Sequence, residues 1–399
     1  MYTEKVNKLQ VVFLVLMLYG YELVSFFPSL LNMESSRPVS VGYRVFVFLL
    51  ASWVILKNKI RLTNKHLLIY TFWFLYLLRL FYDSALTSKI IQSPIVDYWA
   101  FSAGIIGCSL ACTTNFNQNT IISARKWVVI VLYIVNLWGL YNNITQPQIV
   151  PDDVLVRADA NAALNTVSFG RAAAVMFFIC FTIFLEKNTA WQKVLLGIGM
   201  GISLFNLFMA GSRGPLLQLV IVIIVFLLSS RKLIKPKYIL LFVIMVVILM
   251  TLFPQYLNIS ELVFERFKET GFSSNDSDRF RAELFKSAWN QFLDHPVFGD
   301  SIETVFEGTY PHNLLLESLM SIGFVGGIMI IIIIIIAFIN AVRYIKIPYY
   351  NWLGAILLMD VISSNSSGSI ANYLLFWPLL AFTINSHITK QQNGKTIQI

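Results

Sequence analysis

Arg213 stands between two glycines in Gly211-Ser212-Arg213-Gly214-Pro215, and His312 lies in Tyr310-Pro311-His312-Asn313, directly before Leu314-Leu315-Leu316-Glu317. A guanidinium is a rigid fork of N–H donors that matches a phosphate bidentately. Glycines beside it let a ligand come close to the backbone. The competing reading is an arginine that snorkels to a membrane boundary. Its place in a turn of a few residues, rather than in a flexible flank, favours the anion site. Pro311 fits a helix start, so His312 would stand at a helix mouth. A neutral imidazole there could take a proton from a hydroxyl near physiological pH. A lone histidine is more often structural than catalytic. Of the other three, His66 and His387 fall on the predicted cytoplasmic side, and His295 reads as a helix-end residue.

The elements that must position these residues are apolar. Hydrophobic residues make up 57% of the 399 positions and charged residues 13%, against roughly 25% charged in a soluble domain. The chain lacks the polar surface to cover itself in water. Apolar runs long enough to cross about 30 Å of hydrocarbon fall at 10–31, 41–56, 67–82, 96–113, 127–142, 171–186, 192–210, 215–229, 238–254, 320–342, 350–365 and 370–386. The sequence therefore predicts an all-α, polytopic transmembrane helix bundle of about twelve spans.

With the N-terminus inside, every inner connection is basic: Lys57, Lys59, Arg61 and Lys65 in one, Arg231, Lys232, Lys235 and Lys237 in another. That asymmetry puts both termini in the cytoplasm and both long hydrophilic stretches, 143–170 and 255–312, outside. The net charge of +9 is thus a topology signal, and a nucleic-acid partner is excluded. No phosphate-cradling glycine loop faces inward, which argues against ATP as a fuel. The first run lacks a small-residue cleavage site and reads as a retained span. Cys108, Cys112 and Cys180 fall inside spans without further ligands, so they read as packing residues and no metal site is expected.

The 255–312 stretch reads as a helical loop domain with two amphipathic helices, 261–270 and 278–294. The second aligns Phe280, Leu284, Ala288 and Phe292 at i, i+4 spacing. Arg266 and Lys268 belong to the first helix, Arg279 to the entry turn of the second, and Arg281 and Lys286 to its polar face. The alternative for these charges is a solvated cap or contact with lipid headgroups. Glu22, Arg79, Asp360 and Asn206 lie within spans, where such groups pair or line a cavity. Asp360 precedes Ser363-Ser364-Asn365-Ser366-Ser367, which predicts a wet outer end for that span.

Taken in order, Gly211-Ser212-Arg213-Gly214, the outer loop with Arg279, Arg281 and Trp289 before His295-Pro296-Val297-Phe298-Gly299-Asp300, and Pro311-His312-Asn313 followed by Gly323 and Gly326 resemble the O-antigen polymerase and O-antigen ligase superfamily of bacterial membrane glycosyltransferases. The resemblance is best between about 160 and 330. It implies a multi-pass protein of the bacterial inner membrane with its active site on the periplasmic face. Its substrates would be an undecaprenyl-pyrophosphate-linked oligosaccharide and an acceptor glycan, used without cofactor or metal. Membrane lipid surrounds such a protein, and a polymerase is expected to work with a separate chain-length regulator.

By the same resemblance His312 would act as general base on the acceptor hydroxyl. Arg213, with Arg279 or Arg281 and Arg266, would hold the departing pyrophosphate. Arg157 and Arg171, in or beside the first outer stretch, would help a glycan bind, and Asn313 would contact substrate beside the base. The Ser-Arg-Gly turn and the Pro-His-Asn-Leu-Leu-Leu-Glu run look more like polymerases, which join repeat units. A ligase, which moves the finished chain to lipid A core, shares the same positions. A flippase for the same lipid-linked sugar is the alternative from another class. The long outer loop and the lack of matched halves count against it.

Overall fold

A helix satisfies its own backbone polar groups, so an apolar run facing lipid folds as helix. The computed structural model describes residues 5–31, 33, 36–86, 94–145, 166–186, 188–229 and 276–385. Its helices are α1 (Lys8–Val24), α2 (Phe26–Leu30), α3 (Arg37–Lys57), α4 (Asn64–Phe81), α5 (Ile95–Cys112), α6 (Gln118–Thr145), α7 (Thr166–Phe184), α8 (Ala190–Met209), α9 (Arg213–Ser229), α10 (Asp276–Asp294), α11 (Leu314–Ile345), α12 (Asn351–Ser363) and α13 (Phe376–Ile384). A single π-helical turn, Tyr82–Leu86, extends α4. Seven helical segments among the described residues are long and apolar enough to cross a membrane: Lys8–Pro28, α3, α5, α6, α7, α8 and α11. Helices α9 and α12 are shorter and apolar. The architecture is all-α and polytopic. The expected span 238–254 and helix 261–270 lie outside the described residues.

One expected span takes a different form. In place of continuous helix over 370–386, residues 364–375 make turns and only Phe376–Ile384 is helical. Nine residues reach about 14 Å, half the hydrocarbon thickness. The turns persist because protein, not lipid, surrounds them: Ile370 and Ala371 are fully buried, and Trp377 Nε1 donates to Ile370 O at 3.1 Å.

The chain divides into two compact units. The first comprises Met1–Tyr43, Asn117–Gly271 and Val342–Met359. At its centre α7 packs on α6, α8 and α9, burying every residue from Ala172 to Cys180. Gly170 sits against Ala210 and Pro215, each of which an added Cβ would meet at 3.3 Å. Two polar contacts lie inside this unit. Asn206 Nδ2 donates to Asn136 O and Oδ1 at 2.8 and 3.1 Å, and Arg125 grips Glu186 with two bonds of 2.6 and 3.0 Å.

The second unit comprises Arg44–Phe116, Phe272–Ala341 and Asp360–Ile399. Helices α4, α5 and α13 meet around Phe72, Trp73 and Trp377, whose rings lie 5.2 to 5.5 Å apart across α4 and α13. His66 is fully buried there, its Nδ1 accepting from Thr63 N–H and its Nε2 bonding Ala381 O at 2.9 Å. That histidine is structural.

Helix α11 is broken at Gly323, where φ is 77 and ψ is −159. The break is filled by the motif loop after α10. Phe324 N–H, which an intact helix would point at Met320 O, donates to Pro296 O at 2.8 Å. Met320 O accepts instead from Asp300 N–H at 2.7 Å. Gly299, with φ 73, abuts the backbone of Ser321, and Gly323 abuts Val297. Neither backbone could approach so closely past a side chain, and only glycine holds such angles without strain. The spacing of Gly299 and Gly323 in the sequence thus records a loop sewn into a helix.

Candidate active site

The segment Leu314–Ile322 of α11 carries the histidine motif on its N-terminus. Asn313 caps it: Oδ1 accepts from Leu316 N–H at 3.0 Å, and the backbone carbonyl accepts from Glu317 N–H at 2.9 Å. Its Nδ2 donates to Asn365 O at 3.0 Å. Both ends of the Asn313 amide are therefore engaged in holding the helix start. His312 precedes the cap with φ 56, a left-handed conformation that turns the ring out of the helix path. The imidazole is half-buried and meets the Tyr310 ring edge-on, centroids 4.6 Å apart.

Burial, and then the positive charge of Arg281 on α10, hold the His312 pKa below the ordinary imidazole value. The ring is neutral at physiological pH, with a lone pair free to accept a proton. The hydroxyl of Tyr310 bonds the Asn372 side chain, and burial together with nearby Glu317 raises its pKa, so it stays protonated. Arg281 itself is exposed, as is Arg279 two residues earlier. On α10, Leu284 and Ala288 are fully buried and Gln291 nearly so, while Phe280 is 40% exposed. The inward stripe differs from the expected one because Gln291 has work to do inside.

That work is to fix the loop after α10. Gln291 Nε2 donates to Asp300 Oδ2 and Ser301 Oγ, both at 2.9 Å, and its Oε1 accepts from Val305 N–H at 2.9 Å. From α4, Arg79 donates to Gly299 O at 3.2 Å and pairs with Asp83 at 2.8 Å; Asp83 in turn accepts Ile302 N–H at 2.9 Å. From α5, Tyr98 donates to Glu303 at 2.9 Å. His295 lies 3.3 Å from Asp300. Sequence reasoning noticed Arg79 without a partner and missed Asp83, Tyr98, Gln291 and Glu303. The i, i+4 spacing of Arg79 and Asp83 was the available signal; the loop contacts had none.

The arginine turn belongs to the first unit. Helix α8 ends as Ala210 N–H donates to Asn206 O and Gly211 N–H to Phe208 O, each at 2.9 Å, with Gly211 at φ 57. Gly211 is thus a helix stop. Helix α9 then starts on Arg213 itself, half-buried, where first-turn N–H groups have no partner within the helix. Gly214 leaves open space, the nearest atom to an added Cβ being Gln218 Nε2 at 3.8 Å.

Arg171, expected at the edge of an outer loop, lies well inside α7, which begins five residues sooner at Thr166. Glu22 and Tyr19 of α1 interact with it electrostatically, which makes a charge tolerable at that depth. The structure therefore places Arg281, whose charge acts on His312, in the same unit as that histidine, with Arg279 nearby in sequence, and Arg213 and Arg171 in the other. Arg157 and Arg266 lie outside the described residues.

Apolar helices of spanning length joined to a polar loop sewn into one of them define a polytopic membrane protein with its candidate chemistry at a helix mouth. Residues 198–331, which contain Arg213, Arg281 and His312, match the family model described as O-antigen ligase. That match, over residues 198–331, supports the likeness to the O-antigen polymerase and ligase superfamily. No curated protein matches it.

Proposed function

We propose that the protein is a glycosyltransferase that polymerises surface-polysaccharide repeat units, taking the growing glycan from a polyprenyl-pyrophosphate donor to an acceptor sugar hydroxyl on the periplasmic side. The observation that carries this reading is a half-buried His312 directly before the Asn313 cap of α11, with a pKa held below the ordinary imidazole value by burial and by the charge of Arg281. His312 takes the proton of the acceptor hydroxyl as its oxygen attacks the anomeric carbon. The bond from that carbon to the pyrophosphate oxygen breaks, and the electron pair leaves with the pyrophosphate. Arg213, on the first turn of α9, and Arg281, helped by Arg279 and Arg266, offset the charge that develops there. Displacement in line would invert the anomeric configuration. Arg171 and Arg157 act on the glycan, and no metal takes part. In this reading the bundle has twelve spans, both termini lie in the cytoplasm, residues 255–312 form a periplasmic domain, and a separate chain-length regulator sets product size.

Ligation to lipid A core is the second reading, favoured by the description of the matching family. Deleting the gene separates the two. Loss of a polymerase leaves single repeat units on lipid A core, whereas loss of a ligase strands long chains on the lipid carrier. Unchanged surface glycans in the deletion strain would contradict both.

A further inference from the structure

The serine- and asparagine-rich turn after α12 has no role in the mechanism above, yet it is hydrogen-bonded to the residues that flank the base. Leu314 N–H donates to Ser364 O at 2.9 Å, and Asn313 Nδ2 donates to Asn365 O at 3.0 Å. One helical turn further on, the fully buried carboxylate of Glu317 accepts Ile370 N–H at 3.0 Å and Ser369 Oγ–H at 3.3 Å. The Tyr310 hydroxyl bonds the Asn372 side chain. Residues on both flanks of His312 thus hold the turn from Ser364 to Asn372. A carboxyl group withdrawn completely from water needs hydrogen-bond partners inside the protein, and here both of its bonds hold this turn.

The tip points the other way. Asn365, Ser366, Ser367 and Asn372 are exposed. The side chains of Asn365 and Ser367 make no hydrogen bond within the described protein, and Ser366 reaches only Ser363 O at 3.5 Å. The exposed groups are neutral amides and hydroxyls with an aromatic ring, Tyr310, behind them. Such groups donate and accept at once, which matches the alternating hydroxyls of a sugar and offers nothing special to a pyrophosphate, whose partners are cationic.

We infer that the 365–372 turn is the acceptor-sugar subsite, with Asn365, Ser367 and Asn372 as specificity-determining residues that present the acceptor hydroxyl to His312. The inference rests on the glycosyl-transfer reading and adds the division of labour: guanidinium groups take the donor, neutral groups take the acceptor. Glu317 is a positioning residue that acts through Ser369 and Ile370.

The test uses the full-length protein in detergent micelles. Its probe is the lipid-free repeat-unit oligosaccharide released by mild acid from the host's own lipid-linked pool. Binding is read by saturation-transfer NMR, and transfer is read separately with the lipid-linked donor. The Asn365→Ala/Ser367→Ala variant removes two exposed side chains with no internal bonds, so it folds. Loss of two neutral hydrogen bonds weakens oligosaccharide binding and raises the acceptor KM about tenfold, with kcat at saturating acceptor and donor KM unchanged. Arg213→Ala leaves oligosaccharide binding intact. Wild-type affinity in the double variant, or a rise in donor KM instead, overturns the subsite and leaves glycosyl transfer standing. A wild-type protein that transfers no glycan at all overturns the functional reading and the subsite with it.

Discussion

The two arginine-bearing regions are built on opposite plans. In the first unit, the 211–215 turn is a bare helix junction: Gly211 stops α8, Arg213 starts α9, and Gly214 faces open space. In the second unit, residues 296–300 fill the gap in α11, and Arg79, Asp83, Tyr98 and Gln291 hold the loop from Gly299 to Val305. The contrast teaches where each motif gets its precision. In the proposed mechanism, a cation that meets a lipid pyrophosphate needs charge and access. A base that must sit in line with one hydroxyl needs a fixed position, because small displacements of a reacting group cost large factors in rate.

Removing the chemical groups should break both regions, and most completely. His312→Ala is expected to lower glycan transfer by roughly 10²- to 10⁴-fold at normal membrane level, read as product per unit of inserted protein. Arg213→Ala should cost about 10²- to 10³-fold. Arg213→Lys should rescue it poorly, because a point charge does not reproduce the fork.

Removing the supports should separate them. Arg79→Ala leaves the Asp83 carboxylate, 1% exposed, without its cation, at a cost of about 3–5 kcal/mol. The solubilised protein should show a lower Tm and the loop should loosen. Gly323→Ala puts a Cβ at positive φ against the Val297 backbone, and its Tm should fall by a similar or smaller amount. If either variant melts like wild type, the loop is not held as described.

The sequence announced these supports unevenly. Apolar runs made the helical membrane architecture legible, because spanning length is a local property. The spacing of Arg213, His295–Asp300 and His312 pointed to the matching family. Residues 370–375 read as membrane helix, because their apolar side chains face protein, and hydropathy does not distinguish protein from lipid. Arg171 read as the edge of an outer loop, because Glu22, which interacts with it electrostatically within the bundle, lies 149 positions away in sequence (171 − 22). The hydrogen bonds that fill the break in α11 are backbone bonds, and only Gly299 and Gly323 hinted at them.

Acid should affect the second unit in a definite direction. Burial and Arg281 keep His312 neutral, whereas an unfolded chain protonates its imidazole near the usual value of about 6.5. Stability from neutral His312 is therefore complete above that pH and declines as pH falls below it. The acid limb of transfer activity should lie below about 6.5. Arg281→Ala removes a repelling charge and should move that limb upward. A downward shift would mean that Arg281 acts on His312 in some other way.

The smallest effects sharpen the account of the arginine turn. Gly211→Ala meets a positive φ and should cost about 1 kcal/mol, read by thermal melting. Gly214→Ala enters open space and should leave Tm unchanged. A Gly214→Ala protein that is stable but inactive would show that the ligand passes against that backbone.

The most direct measurement is transfer by the full-length protein reconstituted in lipid with polyprenyl-pyrophosphate-linked repeat units as the only sugar source, with EDTA present, comparing wild type with His312→Ala. The account predicts lengthened glycans and released polyprenyl pyrophosphate from wild type, and neither from the variant at equal protein. Equal product from both would remove His312 as the base, and a requirement for a divalent metal would contradict the charge-stabilising role given to the arginines.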